Sequence, residues 1–314
     1  MRPAHAPAEL LNGRPFLVSR ARALGASPEV LRGPLFRSVC HGVHVAADTP
    51  DGTGLRLAAA RLILPQSATF TGGTAAWLHG IDIARDEDAP LEVTFAPGTA
   101  ALGRGLFTPR QATLAAADIV HRRGVPVTSP VRTAYDLARR LEVVEAVVAV
   151  DAFWHQGLVK PDQLLDYATA HGVLRGVRQI PYVVSLADVG AGSPMESRLR
   201  MLVVLDIGLP KPETQIKVCT SDGQVVARLD MGYRGLQLGV EYDGEVHAQP
   251  AVRARDLRRH NALLAHQWHN LRYSADAYYN RRDEVICEIK DSYARLSARA
   301  AQNDLGLSVR SGHE

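Results

Sequence analysis

The chain has 314 residues, of which 46% are hydrophobic and 22% charged, and its formal net charge at pH 7 is +3. This is the composition of a soluble protein of two or three domains, and so small a net charge is no evidence for a nucleic-acid partner. The three cysteines have neither disulfide nor zinc-ligand spacing, which predicts a reducing, cytoplasmic setting. We expect no secretion signal and no membrane location, because no suitable apolar run occurs in the sequence.

The first 50 residues predict a small module of helix, turn, helix and hairpin. Residues 17–24 have helical character, Ser27 is a typical N-cap for a second helix, and residues 35–45 alternate like a hairpin. This order is a winged-helix pattern over residues 14–50, and such modules commonly bind DNA. Alternatively, it is a protein-contact module whose arginines are simply solvated. The candidate phosphate contacts are Arg20, Arg32 and Arg37.

Residues 51–188 predict a mixed, mainly helical region. Its predicted strands are residues 91–95 and 119–121. The predicted helices are residues 55–64, 74–79, 131–141, 142–153, 162–169 and 176–188. In the helix that follows Pro130, Arg132 and Asp136 have the i,i+4 spacing of an ion pair.

Four segments of this part occur in a recognisable order: FRSVCHGVHV, TAAWLHG, GVPVTSPVRTAYDLARR and AVDAFWHQG. Together they resemble actinobacterial proteins that begin with an AbiEi-type, antitoxin-like winged-helix region, over most of residues 14–157. The resemblance implies binding to DNA or contact with a toxin or other protein partner, and autoregulation in true antitoxins. It supplies no catalytic residue.

A glycine-rich break at residues 189–193 predicts a domain boundary. After it, Ser193 caps a helix that carries Glu196, and strands follow at residues 213–219 and 225–231. A third strand, a helix, a further strand and a final helix predict an α/β core with mixed strand pairing over residues 193–300. We predict a flexible tail over residues 301–314.

Residues 226–247 predict a hairpin with an apolar face and an acidic face. With Arg234-Gly235 as its tip, Met231 lies opposite Leu238 and Leu229 opposite Val240. The other face then carries Arg228, Asp230, Glu241 and Asp243. In this register Asp230 and Glu241 are diagonal neighbours with Cβ atoms on the order of 7 Å apart, close enough to bind one ion. Alternatively, the acidic face is solvated and has no ligand.

The segments ESRLR, ARLDMGY, LGVEYDGEVH, RDLRRHNALLA and NLRYSAD also occur in a recognisable order. They resemble the small PD-(D/E)xK-type nuclease domains related to very-short-patch-repair endonucleases, over about residues 193–299. The resemblance implies a restriction-endonuclease-like core of three α/β layers with a mixed sheet. It also implies hydrolysis of a phosphodiester with the help of a metal ion.

Carried over motif by motif, the resemblance makes Asp230, Glu241 and Glu196 the ligands of Mg²⁺ or Mn²⁺. The chain departs from the family pattern at Asp243, which stands where the wider superfamily has a lysine. His247 is then a candidate acid/base, and Arg255 or Arg259 a candidate electrostatic partner. Two alternatives follow from the departure: the nuclease has lost its activity, or the metal lies closer to Asp243.

The helix after the hairpin is rich in arginine. We predict that it contacts nucleic-acid phosphates, although a solvated amphipathic helix has the same pattern. The candidate contacts are Arg253, Arg255, Arg258 and Arg259. The sequence as a whole therefore predicts a metal-dependent DNA endonuclease with an N-terminal DNA-binding module, in phage defence or DNA repair. The alternative is a non-catalytic, antitoxin-like DNA-binding regulator.

Overall fold

The computed structural model describes residues 7–81, 83, 89–99, 105–244 and 250–310, and it describes residues 250–255 and 304–310 by their backbone only. The chain divides into two compact units. Unit 1 comprises Met1–Leu137 with Asp166–His171, and unit 2 comprises Ala138–Leu165 with Gly172–Glu314. The division into four segments stays a prediction, and its proposed boundary at residues 189–193 lies within unit 2.

Unit 1 begins with two short helices and a three-stranded antiparallel sheet of order β1-β3-β2. The elements are β1 (Phe16–Leu17), α1 (Val18–Ala23), α2 (Pro28–Arg32), β2 (Phe36–Cys40) and β3 (Val43–Ala46). As predicted, Ser27 caps the second helix, and its Oγ accepts the N–H of Val30 at 3.4 Å. The rings of Phe16 and Phe36 meet edge to face in the small core, with their centroids 5.4 Å apart. Helix, turn, helix and hairpin thus follow in the expected order, and β1 is an addition.

The rest of unit 1 is built on a five-stranded sheet of order β6-β5-β4-β8-β7. Its elements are α3 (Thr53–Arg61), β4 (Thr69–Phe70), α4 (Gly72–Leu78), β5 (Leu91–Phe95), β6 (Phe107–Gln111), β7 (Ile119–Arg122), β8 (Val125–Thr128) and α5 (Pro130–Arg140), whose end belongs to unit 2. The prediction of a mainly helical region is therefore wrong for its first half. Strands β4, β6 and β8 were missed because they are short and lack a clear alternation of apolar and polar residues.

Unit 2 contains a four-stranded sheet of order β12-β11-β10-β9. Its elements are α6 (Val143–His155), α7 (Pro161–Ala170, shared with unit 1), α8 (Ile180–Leu186), α9 (Pro194–Met201), β9 (Glu213–Cys219), β10 (Val225–Tyr233), β11 (Leu238–Tyr242), α10 (Pro250–Ala265), β12 (His269–Tyr273), α11 (Ala275–Asn280) and α12 (Arg282–Arg310). The strands from β9 to β11 pair antiparallel, and β11 and β12 pair parallel. The predicted mixed pairing is confirmed, with α10 as the crossover that parallel strands require.

The register of the β10–β11 hairpin differs from the prediction by two residues. Met231 pairs with Val240 and Tyr233 with Leu238. The connection is longer than a two-residue tip, because a 3₁₀ turn at Arg234–Leu236 is followed by Gln237 in the left-handed region, with φ of 52°. The ladder stops at the Met231–Val240 pair, so Asp230 and Glu241 are the next residues of the two strands.

The strict alternation predicted for β10 is interrupted at Asp230. Ala227 and Leu229 belong to an apolar cluster with Leu263 of α10, whereas Met231 belongs to a different cluster with Leu199 of α9. Across the β9–β10 ladder, the residue between the bonded pairs Leu229–Ile216 and Met231–Thr214 is Gln215, which has φ of 52°. A left-handed residue inside a strand kinks it, and this explains why neighbouring odd positions of β10 pack in different clusters.

The C-terminal prediction needs two corrections. The single predicted final helix is two helices, α11 and α12. The predicted flexible tail is helical from residue 301 to Arg310, since α12 has no proline to stop it, and residues 311–314 lie outside the described part. Within the described chain, no helix combines the length and the hydrophobicity needed to cross a membrane.

Candidate functional site

The candidate site is a cleft of about 380 Å³ in unit 2. It lies where the hairpin ladder stops, because the last bonded pair is Met231–Val240 and the next amide, that of Tyr242, donates to the Asp230 carboxylate at 2.9 Å. The cleft is lined by Arg228, Asp230, Glu241, Tyr242, Asp256, Arg259 and Arg272. Two of the predicted metal ligands therefore share one cleft with three arginines.

Asp230 is the most perturbed acid of the cleft. Burial, the neighbouring Glu196 carboxylate and, to a smaller extent, Glu241 raise the pKa of Asp230, which is about 7 instead of the usual 3.8. The hydrogen bond from Tyr242 and the charge of Arg259 act in the opposite direction. Glu196 and Glu241 are thus both close enough to Asp230 to disfavour its charged form.

Glu241 is 4% exposed, and both of its oxygens are occupied. Oε1 forms an ion pair with Arg259, whose Nη2 also donates to the carbonyl of Arg228 at 2.9 Å. Oε2 accepts a hydrogen bond from Nδ2 of Asn270 at 2.6 Å. These bonds explain how a carboxylate tolerates nearly complete burial, since buried charges need charged or hydrogen-bonded partners.

Glu196 lies in the first turn of α9, where its carboxylate complements the positive end of the helix. Ser193 caps this helix by accepting the N–H of Glu196 at 3.2 Å. Glu196 Oε2 accepts the N–H of Gly192 at 2.8 Å and the side-chain amide of Gln215 at 3.3 Å. Gln215 therefore combines a left-handed backbone with a side-chain hydrogen bond that orients the Glu196 carboxylate.

The residue types of this site suit a divalent cation, but their arrangement does not. Carboxylate oxygens suit Mg²⁺ or Mn²⁺. Yet within the described part of the chain no group of three or more His, Cys, Asp or Glu residues is placed to hold a metal ion. Two of the three acids already have other partners. The Glu241 carboxylate is bonded to Arg259 and Asn270, and the Glu196 carboxylate to Gly192 and Gln215.

The remaining predicted catalytic residues lie outside this cluster or outside the described chain. Asp243 is turned to Arg272, with Oδ1 3.0 Å from Nη2, and 47% of its side chain is exposed. His247 falls among residues 245–249, which the structure does not describe.

The predicted basic helix is α10. Arg259 belongs to the cleft, and Arg258 is exposed and faces a second groove beside β10. Arg253 and Arg255 lie in the helix, but their side chains are outside the described part.

The N-terminal arginines differ in their surroundings. Arg20 is exposed on α1. Arg32 is exposed on α2 and pairs with Glu29 at 3.5 Å. Arg37 is half-buried and donates to the carbonyl of Thr49 at 2.9 Å, which fixes the chain after the hairpin. Arg20 is therefore the freest of these side chains to reach a phosphate.

Unit 1 holds a buried charge network. Arg132, which is 5% exposed, pairs with Asp136 at 2.9 Å, as its i,i+4 spacing predicted, and with Asp118 at 3.0 Å. The hydroxyl of Tyr167 donates to Asp118 at 2.7 Å. Each buried charge has a partner, so this network holds elements together and leaves no group free for chemistry.

Three side chains of the site were not predicted: Asn270, Arg272 and Gln215. The first two lie on β12, whose parallel pairing places Asn270 beside Gly239 and Arg272 beside Glu241. Gln215 reaches Glu196 from β9. The sequence showed only that polar residues alternate along a predicted strand. Their role in the site follows from the pairing with the neighbouring strand, which the sequence did not give.

Comparison with known proteins gives one family match. Residues 67–182, from just before β4 to the start of α8, match the AbiEi antitoxin C-terminal domain. This confirms the antitoxin-like character of the middle region, over less than half of the chain. No curated protein matches the chain.

The solved structures include a chain that is similar at low identity. It is the crystal structure of the RV2827C protein from Mycobacterium tuberculosis, with 13% identity and a TM-score of 0.40 over 69% of this chain and 92% of that chain. A similarity this low supports no conclusion about fold or function.

Proposed function

We propose that the chain is an antitoxin-like, DNA-binding regulatory protein. The observation that carries this proposal is the match of residues 67–182 to the AbiEi antitoxin C-terminal domain. A protein of this kind has two partners, the DNA of its own promoter and a toxin. The catalytic interpretation lacks equivalent support from any family match.

The N-terminal elements of unit 1 supply a surface for DNA. Helices α1 and α2 are joined by a tight turn at residues 24–27, and Gly25 has φ of 89°, which favours glycine. Arg20 and Arg22 are exposed on α1, and Arg32 is exposed on α2. Exposed arginines on a compact helical pair suit contacts to phosphates, which position a protein on DNA.

The test is a gel-shift titration of the full chain with duplex DNA from the region upstream of its own gene. We expect preferential binding over unrelated duplex DNA of equal length, and a weaker affinity for the Arg20→Gln, Arg22→Gln variant. An Arg175→Gln, Arg178→Gln variant removes the same charge from exposed positions of unit 2 and is the matched control. Equal affinity of the wild type for upstream and unrelated DNA would contradict the regulatory proposal.

The toxin partner is tested separately. The chain is co-expressed with the product of the neighbouring gene, and cell growth and co-purification are measured. An antitoxin restores growth and forms a complex that survives size-exclusion chromatography. Growth arrest that continues with a soluble, fully expressed chain would contradict this half of the proposal.

A second candidate function is a metal-dependent nuclease. The specific observation in its favour is that Asp230 and Glu241 line one cleft, where burial, Glu196 and Glu241 raise the pKa of Asp230 to about 7. Carboxylates held together against repulsion are common where a site serves catalysis or binds a cation. Asp230, Glu241 and Glu196 would hold the ion, after Glu241 exchanges its ion pair with Arg259. The bound ion would polarise a phosphoryl oxygen and activate a water molecule.

The nuclease candidate has two independent readouts. Plasmid is incubated with the chain and Mg²⁺ or Mn²⁺, and the melting temperature is measured with and without each ion. We expect cleavage and a metal-dependent rise in melting temperature for the wild type, and neither for an Asp230→Ala, Glu241→Ala variant. Equal residual cleavage by both proteins, together with no effect of the ions on melting, would exclude the candidate.

A further inference from the structure

A second groove lies beside the carboxylate cleft in unit 2. Its volume is about 610 Å³, and it runs between the N-terminal part of β10 and helix α10. The lining residues are Gln224, Val225, Val226, Ala227, Arg228, Arg258, Arg259 and Ala262. The groove therefore has an apolar floor and three arginines at its sides.

The charge of the groove has one sign. None of the lining residues that the structure describes is acidic. Arg228 and Arg258 are exposed, and neither forms an ion pair with an acid in the described part of the chain, whereas Arg259 is bound to Glu241. Two guanidinium groups without carboxylate partners beside one recess make a site for anions, and phosphate suits the planar fork of arginine.

The groove and the carboxylate cleft are adjacent. Arg228 and Arg259 line both, and Arg259 Nη2 donates to the Arg228 carbonyl at 2.9 Å between them. An extended ligand with repeated negative charges can thus contact Arg258 and Arg228 in the groove and reach Asp230 in the cleft. A small anion would use only one of these contacts.

We propose that the groove binds the phosphate backbone of a single nucleic-acid strand and leads it to the carboxylate cleft. The apolar lining of Val225, Ala227 and Ala262 accommodates sugars and base edges, and no aromatic residue occurs among the described lining residues, so the contacts are mainly to phosphates. Binding is therefore independent of base sequence. We assign a single strand because the groove lies between one β-strand and one helix, with its free arginines, Arg228 and Arg258, on these two elements. The inference goes beyond the proposed regulatory function, because it concerns unit 2 and requires neither promoter recognition nor cleavage.

The test measures the affinity of the full chain for a fluorescent single-stranded oligonucleotide in EDTA, between 50 and 300 mM salt. We expect the Arg228→Gln, Arg258→Gln variant to bind roughly tenfold more weakly at 100 mM salt. Its logarithmic salt dependence should be less steep by about 1.4, for two lost phosphate contacts. The Arg175→Gln, Arg178→Gln variant should keep the wild-type affinity and slope. Melting curves establish that each variant is folded.

Competitors distinguish the possible ligands. We expect unlabelled single-stranded DNA and RNA to compete, and duplex DNA of equal length to compete less in the Arg20→Gln, Arg22→Gln background. Unchanged affinity and slope in the groove variant would overturn the proposal, as would equal losses in the groove and control variants. Equal competition by duplex and single strand would overturn the assignment to a single strand. Loss of promoter recognition with unchanged single-strand binding would refute the regulatory function and leave this inference standing.

Discussion

Replacing Asp230 by asparagine should stabilise unit 2 at neutral and alkaline pH. Asparagine has nearly the same shape, and its Oδ1 can still accept the N–H of Tyr242, which the aspartate accepts at 2.9 Å. What disappears is a charge that burial, Glu196 and Glu241 all disfavour. The substitution therefore removes a repulsion while it keeps the hydrogen bond.

The magnitude follows from the pKa of Asp230. The folded protein raises this pKa from 3.8 to about 7, so the native state binds the proton more tightly than the unfolded chain. Stability is then greatest at acidic pH and falls as pH rises from about 4 to 7. The upper limit of the loss is about 4 kcal/mol at 1.36 kcal/mol per pKa unit. Because Asp230 is only partly buried, solvent screening reduces the expected loss to about 1–2 kcal/mol.

The assay is calorimetric melting of the wild type and the Asp230→Asn variant in EDTA from pH 5 to pH 8. We expect the gain in melting temperature to increase with pH and to reach several degrees at pH 8, since about 1 kcal/mol shifts a unit of this size by roughly 2–4 °C. The control is Asp222→Asn, at an exposed turn where hydrogen bonds, first of all that with Thr220, lower the pKa of the acid. The melting temperature of that variant should not increase relative to the wild type as pH rises.

Two results would refute the reasoning. In the first, the Asp230→Asn variant melts at a lower temperature than the wild type at pH 8. In the second, its gain in melting temperature is the same at pH 5 and pH 8. The first result would mean that the charged form is favoured in the fold. The second would mean that the effect comes from packing and is independent of ionisation.

Three further predictions concern the framework of unit 2. Arg200→Met should lower the free energy of unfolding by about 3–5 kcal/mol, measured by urea unfolding. The buried Asp151 carboxylate, which lies 2.5 Å from Arg200, would then have no charged partner. The Asp151→Asn, Arg200→Met double variant should recover most of this loss. Gly176→Ala should cost about 2–4 kcal/mol in the same measurement, because φ is 84° and the new Cβ would lie 2.0 Å from the Arg139 carbonyl oxygen; no loss would show that the turn can relax. Gln267→Gly should stabilise the fold by about 0.5–1 kcal/mol, because Gln267 lies in the turn just after α10 with φ of 60°, and a lower melting temperature would contradict this.

Local signals in the sequence were sufficient for much of unit 2. Ser193 before Pro194 begins α9 as predicted, and strand β9 is Glu213–Cys219, the predicted span. Caps depend on groups three residues apart, and strands on alternation over a few residues, so short stretches of sequence determine both. The order of the strands and the helix between the last two also determined the mixed pairing.

Only the tertiary structure decided how the acids are used. The longer turn at Gln237 shifts the hairpin register by two residues, so that Asp230 and Glu241 both follow the last bonded pair, Met231–Val240. Parallel pairing with β12 brings Asn270 to Glu241, and α10 brings Arg259 to the same carboxylate.

These contacts join residues that are distant along the chain, and no local pattern encodes which carboxylate receives which partner. The sequence alone therefore determined that acids and arginines occur together in this part of the chain. The fold decided that Glu241 pairs with Arg259 and accepts a hydrogen bond from Asn270, because pairing across strands and packing of α10 set those distances. Asp230 is left as the carboxylate that burial and its acidic neighbours push toward protonation.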